Sequence, residues 1–309
     1  MQSTSAAAPT LAPAGLRELV AGVTAVLAVS RFLDGSPAAA VALLLFGAVL
    51  VGALQLFGET AAVEVEAQPW MPAVPRSRLR RALARWPSTR RAGVRRVTRG
   101  VPIETLVEPA VLAFGAVGAI QLAPIGLAEV PLVAGFAWLL LRDLELEARL
   151  VRAVTATSSV ERTAVLGMTM VAGLAAFAGI GALVPGGLPD PSGTAPTTPS
   201  LVLGLAAADG LVAFALAYRV AALRTSNVRD IGWAASAGAA VVAIAEAFLR
   251  TLEIPGLLGP ALLVLVFFLW EAMHNATPAR RRDPRRVWET VLLFALGLVV
   301  VAWSVGLRG

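Results

Sequence analysis

The sequence of 309 residues contains no cysteine and no lysine, and its one histidine is His274. The absence of cysteine excludes disulfide bonds, thiolate catalysis and cysteine-ligated metals. Because all 26 basic residues are arginine, a Schiff base with a cofactor such as retinal is excluded as well. A single histidine excludes sites that need two. Charged residues are also scarce, at 15% of the chain, whereas soluble domains carry about a quarter.

Apolar residues are abundant and come in long runs. They make up 57% of the chain, and a helix of about 20 apolar residues is long enough to cross a bilayer core of roughly 30 Å. The sequence therefore predicts an all-α integral membrane protein, a polytopic bundle of about nine transmembrane helices. The predicted spans are residues 15–33, 38–57, 103–122, 128–141, 163–184, 200–218, 231–249, 257–273 and 287–305.

These spans divide the chain into four parts. We predict a disordered N-terminus over residues 1–13 and a transmembrane hairpin over 14–57. A basic cytoplasmic loop with an interfacial helix follows over 58–100. Residues 101–307 form the seven-helix remainder of a single transmembrane domain.

Arginine is distributed unevenly along the chain. Residues 76–99 hold ten arginines and no acid, and loops with such an excess of positive charge stay in the cytoplasm. Alternation of nine spans then places residues 142–162, 219–230 and 276–286 inside as well, so that with Arg17 a total of 23 of the 26 arginines are cytoplasmic. We therefore expect a cytoplasmic N-terminus. Arginine without lysine, in a chain rich in alanine and glycine, is typical of a GC-rich bacterial genome, so the predicted location is a bacterial plasma membrane.

The same arginine-rich segment predicts the partners. Leu79, Ala82, Leu83 and Trp86 recur at helical spacing, which is typical of a helix lying in the headgroup plane; the alternative is a disordered loop that only orients the chain. Anionic headgroups attract such a segment, and no nucleic acid is expected. A protein partner or a second copy of the chain stays open. The arginines expected to face lipid are Arg78, Arg81, Arg85, Arg91 and Arg95.

Asp209 is the most unusual residue of the predicted spans. It is the tenth of residues 200–219, near mid-bilayer, where a carboxylate costs at least a few kcal/mol. One interpretation is a proton- or cation-binding residue in a transport path. The other is structural, with the acid hydrogen-bonded to Ser236 or Gln121 on a neighbouring span.

Glu104 and Glu108 lie one helical turn apart, near the cytoplasmic end of the third span. Residues four apart share a helix face, so the two acids are expected to form a vestibule open to the cytoplasm. The alternative is an interfacial position in which both are solvated or paired with loop arginines.

Glu246 and Arg250 are predicted to form an intrahelical ion pair, since they stand four residues apart. With Ala245, Trp270 and His274 they resemble the glutamate/arginine and aromatic/histidine motifs of the CAAX-type intramembrane proteases, over about thirty residues. The resemblance implies peptidase activity. Ala245 stands where that family has its first glutamate and the second histidine motif is missing, so the water-activating set is incomplete.

Glu271 and His274 form one Glu-x-x-His pair. Di-metal helical bundles use this spacing when it is repeated. Because the pair occurs once, an ordinary interfacial histidine is preferred. The alternative is a weak site for a single metal, with further ligands from Glu108 or Asp209. We predict no metal and no cofactor.

Three classes of function are compatible with these residues. The first is a transporter or permease for a small solute that uses Asp209, Glu108 and Glu104. The second is a non-catalytic scaffold or accessory subunit that binds anionic lipid or a partner protein. The third is a membrane-embedded enzyme acting on lipid or peptide, for which the sequence offers no complete catalytic set.

Overall fold

The computed structural model describes most of the predicted spans, and all regular structure among the described residues is α-helical. The all-helical prediction is therefore confirmed. The described residues are 14–33, 35–60, 104–123, 129–152, 159–187, 198–224, 227–252, 254 and 256–274, with nine helical residues between Trp288 and Trp303. Eight helices have defined bounds: α1 Ala14–Ser30, α2 Ser36–Thr60, α3 Glu104–Gln121, α4 Glu129–Arg152, α5 Ser159–Leu183, α6 Pro199–Ala222, α7 Val228–Thr251 and α8 Leu258–His274.

Each of the first eight predicted spans coincides with one helix, and α4 departs furthest from its prediction. The predicted span ends at residue 141, whereas α4 continues to Arg152. Leu140, Leu144 and Ala148 are all buried, so an apolar stripe of period four carries the helix on through charged sequence. The helix therefore continues past residue 141, the predicted end of this span.

The outer surface of the bundle is strongly apolar. Leu44, Leu203 and Trp233 each expose more than two thirds of their side chains, and soluble proteins rarely gather such groups into large patches. Among the described residues, four helices are long and apolar enough to cross a membrane. They are Ser36–Phe57 within α2, Val160–Leu183 within α5, and the whole of α6 and α7.

Helix α3 lies at the centre of the bundle. Of its 18 residues, 13 are buried, and it packs against α1, α2, α4, α5 and α6. Alanine, glycine and valine dominate its sequence, so neighbouring helices approach it closely. The polar side chains of Thr105 and Glu108 on α3 are consequently carried into the interior.

The closest of these contacts joins α3 to α5. A Cβ atom added at Gly118 would lie 2.3 Å from the Cα atom of Gly179, and one added at Gly115 would lie 2.4 Å from the carbonyl carbon of Ala175. The two backbones therefore touch with no side chain between them. The small residues Ala175 and Gly179, one turn apart, make this approach sterically allowed.

Hydrogen bonds fix the end of α3 against the end of α1. Arg31 donates to the Gln121 side-chain oxygen at 3.2 Å and to the Ala123 carbonyl at 3.0 Å. The Gln121 amide in turn donates to the Ser30 carbonyl at 2.7 Å and the Leu33 carbonyl at 3.1 Å. This network satisfies carbonyl groups that helix ends leave without intrahelical partners.

Helices α6 and α7 form the most extensive pair of the bundle. The α6 N-terminus is capped by Thr198, whose side chain accepts from the Leu201 amide, and the α7 N-terminus by Asn227. At the crossing, a Cβ added at Gly210 would lie 3.3 Å from the Ala243 Cβ. This close packing carries Asp209, the preceding residue, into the interior.

Candidate functional site

Three carboxylates converge inside the bundle. Glu108 on α3 and Asp143 and Glu147 on α4 are each fully buried. One oxygen from each lies within 4.8 Å of the oxygens of the other two. Together with Arg219 on α6 and Thr169 on α5, which contact them, these residues are called the carboxylate site.

Arg219 compensates one of the three carboxylates. Its Nε donates to Glu147 Oε1 at 2.8 Å and its Nη2 donates to Glu147 Oε2 at 2.6 Å, a bidentate pairing that fixes both side chains. Arg219 is only 3% exposed, so water screens this pair weakly. The ion pair therefore joins α6 to α4 within the interior.

Thr169 provides the one hydrogen bond that Glu108 accepts from the described residues. Its hydroxyl lies 3.1 Å from Glu108 Oε1 and 2.8 Å from the Val165 carbonyl oxygen. A hydroxyl has one proton, so it can donate to only one of these acceptors at a time. Glu108 is accordingly held more weakly than Glu147.

Helical spacing explains why two acids from each of two helices lie at or beside the carboxylate site. Glu104 and Glu108 follow each other by one turn on α3, and Asp143 and Glu147 do the same on α4. The half-buried Glu104 is close enough for its charge to act on Glu147. Of the two predicted transport residues on α3, Glu108 thus belongs to the carboxylate site, and Glu104 lies outside it, at its edge.

The carboxylate site has more negative than positive charge. Glu108 Oε2 and both Asp143 carboxylate oxygens are buried with no hydrogen-bond partner among the described residues. With every group ionised, three carboxylates and one guanidinium leave two negative charges uncompensated. Each uncompensated buried charge costs several kcal/mol. The site therefore favours cations or protons.

Asp209 occupies a second buried position. It is 1% exposed, and both carboxylate oxygens lack a hydrogen-bond partner among the described residues. Glu246 and Arg250 on α7 are the charged groups that act on it. Arg250 donates through Nε to Glu246 and through Nη1 to the Gly187 carbonyl. Asp209, Glu246 and Arg250 are called the Asp209 site.

Neither partner predicted for a structural Asp209 contacts it. Ser236 lies on an exposed face of α7. The Gln121 side chain is engaged at the end of α3 by Arg31, Ser30 and Leu33. The structural interpretation of Asp209 thus has no hydrogen bond to support it in the part of the chain that is described.

A small pocket adjoins the Asp209 site. Glu246 and Arg250 line it together with Phe177 and Pro260. Its volume is about 10 Å³, which is room for about one water molecule. Water can therefore approach the ion pair that neighbours Asp209.

The two sites are separate. Asp209 and Arg219 lie ten residues apart on α6, which corresponds to about 15 Å along the helix axis. Asp209 and Glu108, predicted as cooperating transport residues, are therefore in different sites, about two to three helical turns apart in depth.

No family model, curated protein or solved structure matches this chain. No family assignment follows. The two buried sites are consequently interpreted from their own geometry and chemistry.

Glu271 and His274, the weak metal candidates, have other neighbours. Arg224 donates to Glu271 at 3.3 Å. The imidazole of His274 stacks on Trp270, with 5.2 Å between ring centroids. The first of these contacts is an ion pair and the second is an aromatic stack.

The residues that resemble the CAAX-type protease motifs lie far apart. Glu246 shares a pocket with Pro260 near the start of α8, whereas His274 ends that helix. Fourteen residues separate Pro260 from His274, about 20 Å along the axis. The glutamate and the histidine are thus not brought together.

The arginines predicted to face lipid belong to residues 61–103, which lie outside the described residues. The interfacial helix predicted there is equally untested. These arginines are Arg78, Arg81, Arg85, Arg91 and Arg95.

Sequence reasoning missed four members of the carboxylate site, three of them charged and the fourth Thr169. Asp143, Glu147 and Arg219 fell in segments predicted to face the cytoplasm. A signal was present, because Asp143 and Glu147 are each followed at once by a residue of the buried stripe, Leu144 and Ala148. Arg219 offered no comparable local signal.

Proposed function

We propose that this chain is a multi-pass protein of a bacterial plasma membrane that transports a small solute, with Asp209 exchanging a proton or a cation during the cycle. In this proposal the chain has nine spans and a cytoplasmic N-terminus. The arginines of residues 76–99 contact anionic lipid headgroups there.

The observation that supports transport is the state of Asp209. It is buried near the middle of α6, without a hydrogen-bond donor among the described residues. A charged side chain at this depth is expensive, and such residues mark ion or substrate pathways in membrane proteins. The neighbouring Glu246–Arg250 pair adds no net charge, so it does not compensate Asp209.

The small pocket beside Glu246 and Arg250 supplies a route for exchange. A proton or cation entering there reaches the ion pair first and Asp209 next. Arg250 is hydrogen-bonded to both Glu246 and Gly187, so it is held in place at this entrance. Neutralisation of Asp209 by the incoming ion removes the cost of its buried charge.

An Asp209→Asn variant tests the proposal without knowledge of the solute. The full chain is reconstituted in liposomes on a solid-supported membrane, and a pH step and a Na⁺ step are applied in turn. We expect the wild-type protein to give a transient current with one of them, because the ion crosses part of the bilayer to reach Asp209. In Asp209→Asn the charge moved should fall at least tenfold.

Asp230→Asn is the matched control, because Asp230 is an exposed acid in the first turn of α7. It should leave the current unchanged. A wild-type protein that gives no current, or an Asp209→Asn variant that gives the wild-type current, would overturn the assignment of Asp209. The scaffold interpretation would then gain support.

A further inference from the structure

We propose that the carboxylate site binds a divalent cation, with one oxygen each from Glu108, Asp143 and Glu147 as ligands. The ion belongs to the oxygen-preferring class of Ca²⁺, Mn²⁺ and Mg²⁺. The site is separate from Asp209, so binding here holds whether or not the chain transports a solute.

The spacing of the three oxygens suits such an ion. Ca²⁺ binds oxygen at roughly 2.3–2.6 Å, so two of its ligands lie at most about 4.6–5.2 Å apart. The three oxygens all lie within 4.8 Å of one another, which is compatible with this limit. Mg²⁺ binds oxygen at roughly 2.0–2.1 Å and sets a tighter limit of about 4.0–4.2 Å.

Asp143 gives independent evidence for a ligand. Glu147 is held by Arg219 and Glu108 has Thr169 as a neighbour. Asp143 is fully buried with both oxygens unpartnered among the described residues, and one of them lies within the cluster. A buried carboxylate normally accepts hydrogen bonds or binds a metal, and no group in the described part of the chain donates a hydrogen bond to Asp143.

The charge of the site selects a divalent ion over a monovalent one. Three carboxylates and the Arg219 guanidinium leave two negative charges when all are ionised. One divalent cation brings this sum to zero, whereas one monovalent cation leaves a buried negative charge. Arg219 also orients Glu147 by binding both of its oxygens, and partners of this kind strengthen metal binding.

The hydrogen bonds from Arg219 and Thr169 leave acceptor positions on the carboxylate oxygens that can bind the ion. Each carboxylate oxygen has two acceptor positions, and Arg219 uses one on each Glu147 oxygen. Both acceptor positions of Glu108 Oε2 are without a hydrogen bond from the described residues. Ligands therefore come from α3 and α4, and a bound cation joins these two helices directly.

The test is the binding of Mn²⁺ to the full-length protein, purified in detergent and stripped with EDTA. Loss of the free Mn²⁺ signal in electron paramagnetic resonance reports binding directly, with no gradient and no solute. We expect one saturable site per chain in the wild type, displaced by Ca²⁺. Asp143→Asn should weaken binding at least about 100-fold, since even second-shell changes weaken metal sites by about 10–100-fold.

Glu145→Gln is the matched control. Glu145 lies two residues from Asp143 on the same helix, but its carboxylate is paired with Arg142 and Arg149. This variant should bind Mn²⁺ like the wild type. Asp209→Asn should also bind Mn²⁺ like the wild type, so the Mn²⁺ measurement tests the carboxylate site independently of the transport proposal. If Asp143→Asn does not fold, Glu108→Gln takes its place. A wild type without saturable binding, or equal binding in the ligand variants, would overturn the inference.

Discussion

Replacing Arg219 by glutamine is expected to lower the free energy of unfolding by about 3–5 kcal/mol, because removing one partner leaves the other charge of a buried pair uncompensated. Arg219 carries the positive charge that pairs with Glu147 in a site of three buried carboxylates. Glutamine keeps much of the length and hydrogen-bonding ability of arginine but not the charge. Denaturation of the purified protein in detergent measures the loss.

Arg149→Gln is the control for this experiment. Arg149 also pairs with a glutamate on α4, at 3.9 Å, but it is 66% exposed, and exposed pairs contribute about 0–1 kcal/mol. A double variant, Arg219→Gln with Glu147→Gln, should recover part of the lost stability, since it removes both charges of the pair. If Arg219→Gln were no more harmful than Arg149→Gln, the carboxylate site would not be the buried electrostatic cluster described above.

Replacing Gly118 by valine is expected to cost about 3 kcal/mol or more, at or beyond the upper end of the usual range for overpacking. The added Cβ would lie 2.3 Å from the Gly179 Cα and 2.4 Å from the Gly179 carbonyl oxygen. Both atoms belong to the backbone of α5, so no side chain can rotate away. The helices α3 and α5 must separate, and the fraction of folded protein after purification should fall with the stability.

Gly167→Val separates this clash from the general effect of a β-branched residue in a helix. Gly167 lies on α5 and has no described atom within 4 Å of an added Cβ. Its substitution should leave stability unchanged or raise it by a few tenths of a kcal/mol, since valine has a higher helix propensity than glycine. Equal stability of the two variants would show that α3 and α5 do not pack backbone to backbone.

The helices were predictable from sequence because hydrophobic length is a local property. Runs of apolar residues placed α1 to α8 close to where they lie. The predicted end of a helix was wrong where the helix continues beyond its apolar run, as α4 does to Arg152. Charged residues such as Arg142 and Glu145 lie between the buried apolar residues Leu140, Leu144 and Ala148 in the sequence. They lower the mean hydropathy of this segment, so hydropathy did not detect the buried stripe.

The two buried sites differ in how far sequence could reveal them. The Glu246–Arg250 contact joins residues four apart on one helix, so spacing alone suggests it. Arg219 and Glu147 are 72 residues apart, and their contact depends on how three helices pack. Hydropathy also placed Arg219 and Glu147 in segments outside the predicted spans. An error of one or two turns at a predicted helix end is enough to assign a buried acid to solvent.

The claim on which the whole account depends is that the chain crosses a membrane with residues 76–99 in the cytoplasm. Because the sequence contains no cysteine, a single introduced thiol can be labelled without background. With a membrane-impermeant maleimide on intact spheroplasts, we predict that Ser192→Cys is labelled and that Ser88→Cys is labelled only after the membrane is permeabilised. Labelling of Ser88→Cys in intact spheroplasts, with Ser192→Cys protected, would contradict this topology and the route proposed through it.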